Sequence, residues 1–331
     1  MDALFCGNGT LLVQCAEVFR RAGGTVVGVL SGDAQILAWA AEGDIPCLGT
    51  QDQHDLGDLR FDYLFSVANL TVLPDALIAR ARKRAINFHD GPLPQRAGLN
   101  VPVWAILAGD QSHAVTWHEM TSRVDAGHTL KSRGFPIRET DTAFSLNASC
   151  YEAGLDSFHA LVDELRSGRE TPLAPAGERG WHGRADRPHA LGTLDFRQTA
   201  AELDRLRRAL DFGNYENPLA LPKLWTGTRL LVVGGLEIVA GSGAAGLVRS
   251  IDATGIVVAT GDGLVRLSGF GDLLGQPVAP EEAGIAVGQS LLIPAPLPAC
   301  PQPLRAIGKD EAVWQQMLRV AEPALPPYQG G

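Results

Sequence analysis

The sequence predicts an α/β protein with a Rossmann-like, mostly parallel sheet, followed by a small OB-like β-barrel domain. Three observations predict it. Short apolar runs alternate with helically spaced segments over the first hundred residues, at a spacing that suits right-handed βαβ units. β-rich segments joined by a tight loop follow, closed by one long helical pattern. From Thr228 to Pro294, short alternating strands are separated by Gly and Asp turns, the signature of a small barrel.

Each element has its own signal. "ALFC" (3–6) reads as a buried strand, and 11–21 shows helical spacing in Leu12, Cys15, Ala16 and Phe19. "TVVGVL" (25–30) is a strand, and 34–43 a helix ending at glycine. "DYLFSVA" (62–68) is a strand, "DALIARARK" (75–83) a helix and "AINFH" (85–89) a strand. "VPVWAILAG" is a short helix, and 113–120 and 128–137 are β-rich. Residues 141–165 form the longest helix, with Phe144, Ala148, Tyr151, Leu155, Phe158 and Val162 near one face and Asp141-Thr142 as N-cap. "TAAELDRLRRAL" (199–210) is amphipathic. The expected division is a first domain over 1–166, a Gly-, Pro- and Arg-rich linker over 167–197, the barrel domain with its leading helix over 198–298, and a Pro/Gly-rich tail over 299–331.

Composition narrows the function. The chain has 331 residues, 20% charged and 45% apolar, with a net charge of −9. That charge speaks against a surface built for polyanions. The cysteines, Cys6, Cys15, Cys47, Cys150 and Cys300, are scattered without a CxxC pair, so no metal site and a reducing compartment are expected. The opening "DALFCG" lacks a basic leader region and no apolar run reaches spanning length. A cytoplasmic protein with no membrane contact is expected.

The chemistry centres on Asn87 and His89. Two apart in a strand, they face the same side. They stand at the C-terminal end of a strand in a parallel sheet, where open α/β folds bind ligands. An amide beside an imidazole suits a developing oxyanion, and the imidazole can also move a proton. Taken alone, Asn-x-His is a weak motif that reads first as two satisfied polar groups capping a strand end. "GNGT" (7–10) is half of a dinucleotide fingerprint, but Leu12 stands where its third glycine belongs, and the second strand ends in "VLSGD" without a ribose-binding acid. Nicotinamide dinucleotide is therefore disfavoured.

"NFHDGPLPQRAG" (87–98), followed by "WAI" and by "TWHEMTSRVDAG" (116–127), resembles the formyltransferase family that uses 10-formyltetrahydrofolate. The likeness covers roughly residues 2–295 and fits the two-domain, methionyl-tRNA formyltransferase-like branch. The resemblance implies catalysis by Asn87, His89 and Asp125, with the folate formyl donor bound at Leu70, Thr71, Leu73, Thr121, Ser122, Arg123 and Val124. It also implies substrate contacts at Asn8 and His118. His118 reads equally as a core histidine, and Asp125 as a turn-forming residue before Ala-Gly.

The chain departs from the family pattern at Asp90, where proline is usual, and at His128, where a second aspartate is usual. These variants, and "DFGNYENPLALPKL" (211–224), are similar to formyltransferase domains of nonribosomal peptide and polyketide synthases. Residues 191–331 hold 11 Lys and Arg against 14 Asp and Glu, a net charge of −3, and "RLRR" (205–208) is their only basic cluster. tRNA is thus disfavoured. The expected acceptor is a small-molecule amine or the aminoacyl carrier protein of a biosynthetic assembly line. The alternatives are aminoacyl-tRNA, an amino sugar, or an inactive docking domain.

Overall fold

The computed structural model describes residues 1–49 and 56–294. The tail over 299–331, with Cys300, lies outside the described residues. Two compact units emerge: residues 1–105, 110–139 and 145–183 form the first, and 106–109, 140–144 and 184 onward the second.

The first unit is built on β1 (Asp2–Gly7), α1 (Thr10–Arg21), β2 (Thr25–Leu30), α2 (Ala34–Glu42), β3 (Cys47–Leu48), β4 (Phe61–Val67) and α3 (Asp75–Ile78). It continues through β5 (Ala81–His89), β6 (Ala97–Gly98), α4 (Val101–Ala108), β7 (Ser112–Glu119), β8 (Thr129–Pro136), α5 (Ala143–Ser167) and β9 (Trp181–His182). Seven strands make one sheet in the order β3-β2-β1-β4-β5-β7-β8. The β3 to β5 portion is parallel, and β7 and β8 join antiparallel.

The two-residue period of the strands splits the sheet into unequal faces. Phe5, Phe65, Ile86, Phe88, Val115 and Trp117 point to one side and meet Leu12, Phe19, Phe158 and Leu161 of α1 and α5. With Ile36 and Ala40 of α2, three helices cover that side densely. Leu4, Cys6, Leu30, Leu64 and Ala85 point to the other, where Leu73 and Leu77 supply a thinner cover. Cys6 and Cys15 are buried free thiols.

The helix expected over 75–83 is a single turn, and Ala81 already pairs with Phe61 in the parallel ladder. Backbone pairing with β4 takes the chain into the strand from Ala81 onward, and the Arg82 guanidinium there reaches Asp62 at 2.9 Å and Asp2 at 3.5 Å, acids on two neighbouring strands. Sheet pairing here outweighs helical patterning. Residues 173–183, read from sequence as linker, belong to the first unit. Leu173 bridges Thr129, and β9 pairs with β6.

The second unit holds α6 (Ala200–Ala209), β10 (Lys223–Trp225), β11 (Leu230–Val239), β12 (Val248–Asp252), β13 (Gly255–Ala259) and β14 (Leu264–Gly271). Thr199 and Glu202 cap α6 reciprocally, which fixes its start. The strands form an antiparallel sheet ordered β10-β11-β14-β13-β12. The β-rich second domain is present, but no ladder joins its edge strands into a barrel among the described residues. No described helix is long and apolar enough to cross a membrane.

Phe65 stacks on Phe5 at 5.0 Å between ring centroids and meets Phe158 edge-on at 5.2 Å. Phe65→Ala is expected to destabilise the first unit by about 3–5 kcal/mol. Chemical denaturation checks this, and a loss below about 1 kcal/mol would contradict such a core.

Candidate active site

Register alone assembles a polar row on the thin face. Ser66 of β4 lies opposite Asn87 of β5, and Asn87 opposite His118 of β7. His89 lies opposite Thr116. Asn87 and His89 follow Ala85 at two-residue steps, so they continue the thin face just where its apolar cover ends.

His89 is only 5% exposed, and its Nε2 lies 2.7 Å from the Arg96 carbonyl oxygen. A carbonyl can only accept, so Nε2 carries the proton and Nδ1 is the basic nitrogen. Nδ1 stands 3.8 Å from Asp125 Oδ2 and 4.0 Å from Asp90 Oδ1, beyond hydrogen-bond range of both. The same logic fixes His118. Its Nδ1 lies 2.9 Å from the Glu119 carbonyl and donates to it. Its Nε2 then accepts from Asn87 Nδ2 at 3.2 Å. The second N–H of the Asn87 amide is left for a substrate oxygen.

Asp125 sits in the left-handed region at φ 51° and is buried. The turn that places it is tight, since a Cβ on Gly127 would come within 1.9 Å of the Glu119 carbonyl oxygen. Gly98 N–H donates to Asp125 Oδ2 at 2.9 Å, and His118 Nε2 lies 3.5 Å from Oδ1. Burial alone would raise the Asp125 pKa. The adjacent imidazoles of His118 and His89 and the Gly98 N–H outweigh it and bring the value down to about 2. Asp125 is therefore an anion next to two imidazoles.

The loop between β5 and β6 holds His89 in place. A Cβ on Gly91 would lie 2.5 Å from Val101 Cγ1 and 3.0 Å from the Arg96 carbonyl oxygen. Thr116 Oγ1 donates to the Gly91 carbonyl at 2.8 Å, and Arg96 pairs with Asp110 at 2.6 Å. Gly98 pairs with His182, whose ring stacks on Trp104 at 4.1 Å and 7°. Arg179 donates to the Val124 carbonyl at 2.8 Å. The segment over 173–183 thus braces Asp125 from both sides: through Gly98, which holds its carboxylate, and through Val124, which precedes it.

The structure brings Asn87, His89, His118 and Asp125 together. His118, expected as a substrate contact, sits between Asn87 and Asp125. Leu70 and Thr71 are exposed after β4, and Asn69 folds that turn by donating to the Thr71 carbonyl and accepting from its N–H, both at 3.0 Å. Leu73 is buried in the thin-face cluster against which Met120 packs, so both predicted folate segments border that face. Thr121, Ser122, Arg123 and Val124 are exposed. Asn8 is exposed on another strand end and accepts from Ser31 Oγ at 3.4 Å; no contact joins it to the His89 group among the described residues. His128 points away, pairing with Glu119 at 3.2 Å. Among the described residues no cluster could hold a metal ion. The bracing segment escaped the sequence reading because a two-residue parallel pairing across some eighty positions leaves no periodicity.

Gly91→Ala, pressing on Val101 and the Arg96 carbonyl, is expected to displace His89 and cut turnover at least ~10-fold while the fold persists. Unchanged turnover would show the loop can yield. Asp125 has its own pH signature. Its folded pKa of about 2 lies below the ordinary 3.8, so it adds about 2 kcal/mol of stability above about pH 4. That contribution fades as pH falls towards 2. In Asp125→Asn the unfolding free energy should vary less steeply across that window; an unchanged slope would refute the assignment.

The sequence profile of the formyl transferase family matches residues 50–162. The methionyl-tRNA formyltransferase of Stutzerimonas stutzeri (strain A1501) is 28% identical over 318 residues, covering 86% of this chain and 98% of that protein. That of Ectopseudomonas mendocina (strain ymp) is 30% identical over 231 residues, covering 69% of this chain and 70% of that protein. Among solved structures, WlaRD, a sugar 3N-formyl transferase crystallised in the presence of dTDP and 5-N-formyl-THF, superposes with a TM-score of 0.63. It covers 81% of this chain and 97% of its own at 16% identity, a likeness of fold alone. With the sheet, the polar row and these relatives in agreement, the chain belongs to the 10-formyltetrahydrofolate-dependent formyltransferase family.

Proposed function

We propose that this chain moves a formyl group from 10-formyltetrahydrofolate to an amine of an amino acid or of a carrier-bound aminoacyl group. The observation that carries the reading is the group in which His118 links Asn87 to Asp125 and the free nitrogen of His89 stands 3.8 Å from that buried carboxylate. The donor supplies a formyl carbon on a nitrogen leaving group. The exposed Leu70 and Val72, 72% and 74% accessible, and Val124, 40% accessible, fit a flat, partly apolar ligand beside the thin face.

In this reading Asn87 and the imidazolium of His89 stabilise the oxyanion formed when the amine attacks the formyl carbon. His89 Nδ1 takes the proton leaving the amine and returns it to the departing folate nitrogen. Asp125 stabilises the imidazolium in between. His118 fixes the Asn87 amide. A docking domain would not need this set intact.

Charge supports a small or carrier-bound acceptor. Arg208 pairs with Asp204 at 2.7 Å and Arg207 with Asp211 at 3.1 Å, so two arginines of the basic cluster are neutralised on α6. Methionyl-tRNA is the second reading, favoured by relatives matched over nearly their whole length.

Single-turnover transfer of labelled formyl, offered in parallel to amino acids, aminoacyl carrier protein, methionyl-tRNA and an amino-sugar nucleotide, tests both. Transfer to an amino acid or carrier, lost on the order of 100-fold or more in His89→Ala, is the expected result. Transfer to methionyl-tRNA alone would replace the acceptor, and undiminished transfer by His89→Ala would remove the mechanism.

A further inference from the structure

Asp90 lies outside every role assigned above, yet its carboxylate stands 4.0 Å from the free nitrogen of His89. Its main chain is pinned: His113 Nε2, which must donate, lies 2.8 Å from the Asp90 carbonyl, and the Cys150 thiol donates to the same oxygen at 3.8 Å. The side chain is left free. It accepts no hydrogen bond among the described residues and is 30% exposed, open to an entering molecule. Its nearest polar neighbour is the unpartnered Nδ1 of His89, 4.0 Å away, on a residue otherwise buried and anchored through Nε2.

Two carboxylate oxygens, Asp125 Oδ2 and Asp90 Oδ1, therefore stand within 4.0 Å of His89 Nδ1. Separations of 3.8 and 4.0 Å from Nδ1 are too long for direct bonds. They are the separations expected when acceptors share one donor nitrogen at about 2.8 Å from each. Two carboxylates beside one unpartnered lone pair favour a cation, and three acceptors match the three N–H donors of a primary ammonium. A phosphate or carboxylate would be repelled there.

We propose that Asp90 is an acceptor-binding residue: with Asp125 it holds the substrate's primary ammonium against His89 Nδ1, so the amine enters protonated and is deprotonated in place. The proposal deepens the formyl-transfer reading and rests on it. The steps balance. R–NH3⁺ gives one proton to Nδ1 and becomes the nucleophile R–NH2. Its nitrogen bonds to the formyl carbon, the bond from that carbon to the folate nitrogen breaks, and the imidazolium proton goes to that nitrogen. The second amine proton leaves to solvent past Asp90, so R–NH3⁺ and formyl donor yield R–NH–CHO, tetrahydrofolate and H⁺. It also narrows the acceptor within that reading to a primary amine with no anionic group next to the nitrogen, as in a carrier-bound aminoacyl group or the side-chain amine of an amino acid.

The test uses the full chain and methylammonium as probe, read through the imidazole nitrogen signals of His89, identified by their absence in His89→Gln. Methylammonium should shift the Nδ1 signal in the native protein. Tetramethylammonium, equally charged but without N–H donors, should not. Asp90→Asn should weaken the methylammonium response at least tenfold, and Asp90→Glu should keep it within about threefold. Neither variant touches the pinned carbonyl, so the fold is preserved. Equal binding by Asp90→Asn, an equal response to tetramethylammonium, or no response in the native protein would each overturn the proposal. The readout is binding rather than turnover, so its failure leaves formyl transfer standing, and a failure of formyl transfer is seen separately in the labelled assay.

Discussion

The hydrogen bond that His89 Nε2 donates to the Arg96 carbonyl, 2.7 Å long, decides which imidazole nitrogen faces the substrate. The remaining architecture of the site serves to keep that carbonyl where it is. Gly91 leaves room for the loop to pass His89, Thr116 ties the loop to β7, and Asp110 holds the Arg96 guanidinium. With Nε2 committed, Nδ1 is left basic, buried and flanked by carboxylates, which is the arrangement a proton shuttle requires.

The unequal faces of the sheet explain why the site lies where it does. The side covered by α1 and α5 is filled by aromatic rings, including Phe5, Phe65, Trp117 and Phe158, and leaves no space for a ligand. The other side carries one helical turn and short loops over a smaller apolar cluster. The polar row from Ser66 through Asn87 to His118 continues that thin side. Stability is concentrated on one face and access on the other, so chemistry does not compete with the core for the same positions.

Charge distribution separates the two jobs of the arginines and acids. On α6 they neutralise one another at i, i+4 spacing and at the helix surface. At the site the carboxylates of Asp90 and Asp125 meet imidazoles and the Gly98 N–H, with no arginine or lysine paired to them among the described residues. A cation entering there completes the electrostatics rather than displacing an existing partner. His128, the most conspicuous departure from the family pattern, is absorbed by an exposed pair with Glu119 and leaves the reacting group untouched.

Much of this was legible in the residues. Alternating apolar runs announced β1, β2, β4 and β5 because burial on both faces leaves a local trace, and Asn87 and His89 declared a shared face because strand geometry has a period of two. The wording of the two motifs pointed to Asp125, though no periodicity could. Three things only the tertiary structure decided. Backbone pairing with β4 turned an expected helix into strand from Ala81 onward. The 173–183 segment became a brace through pairings made far along the chain. The working nitrogen of His89, the amide held by His118 and the place of Asp90 depend on which atoms meet across loops. Local sequence records what each residue prefers to bury, whereas a tautomer or a pair of carboxylates beside one imidazole nitrogen is set by distances between residues that only folding brings together.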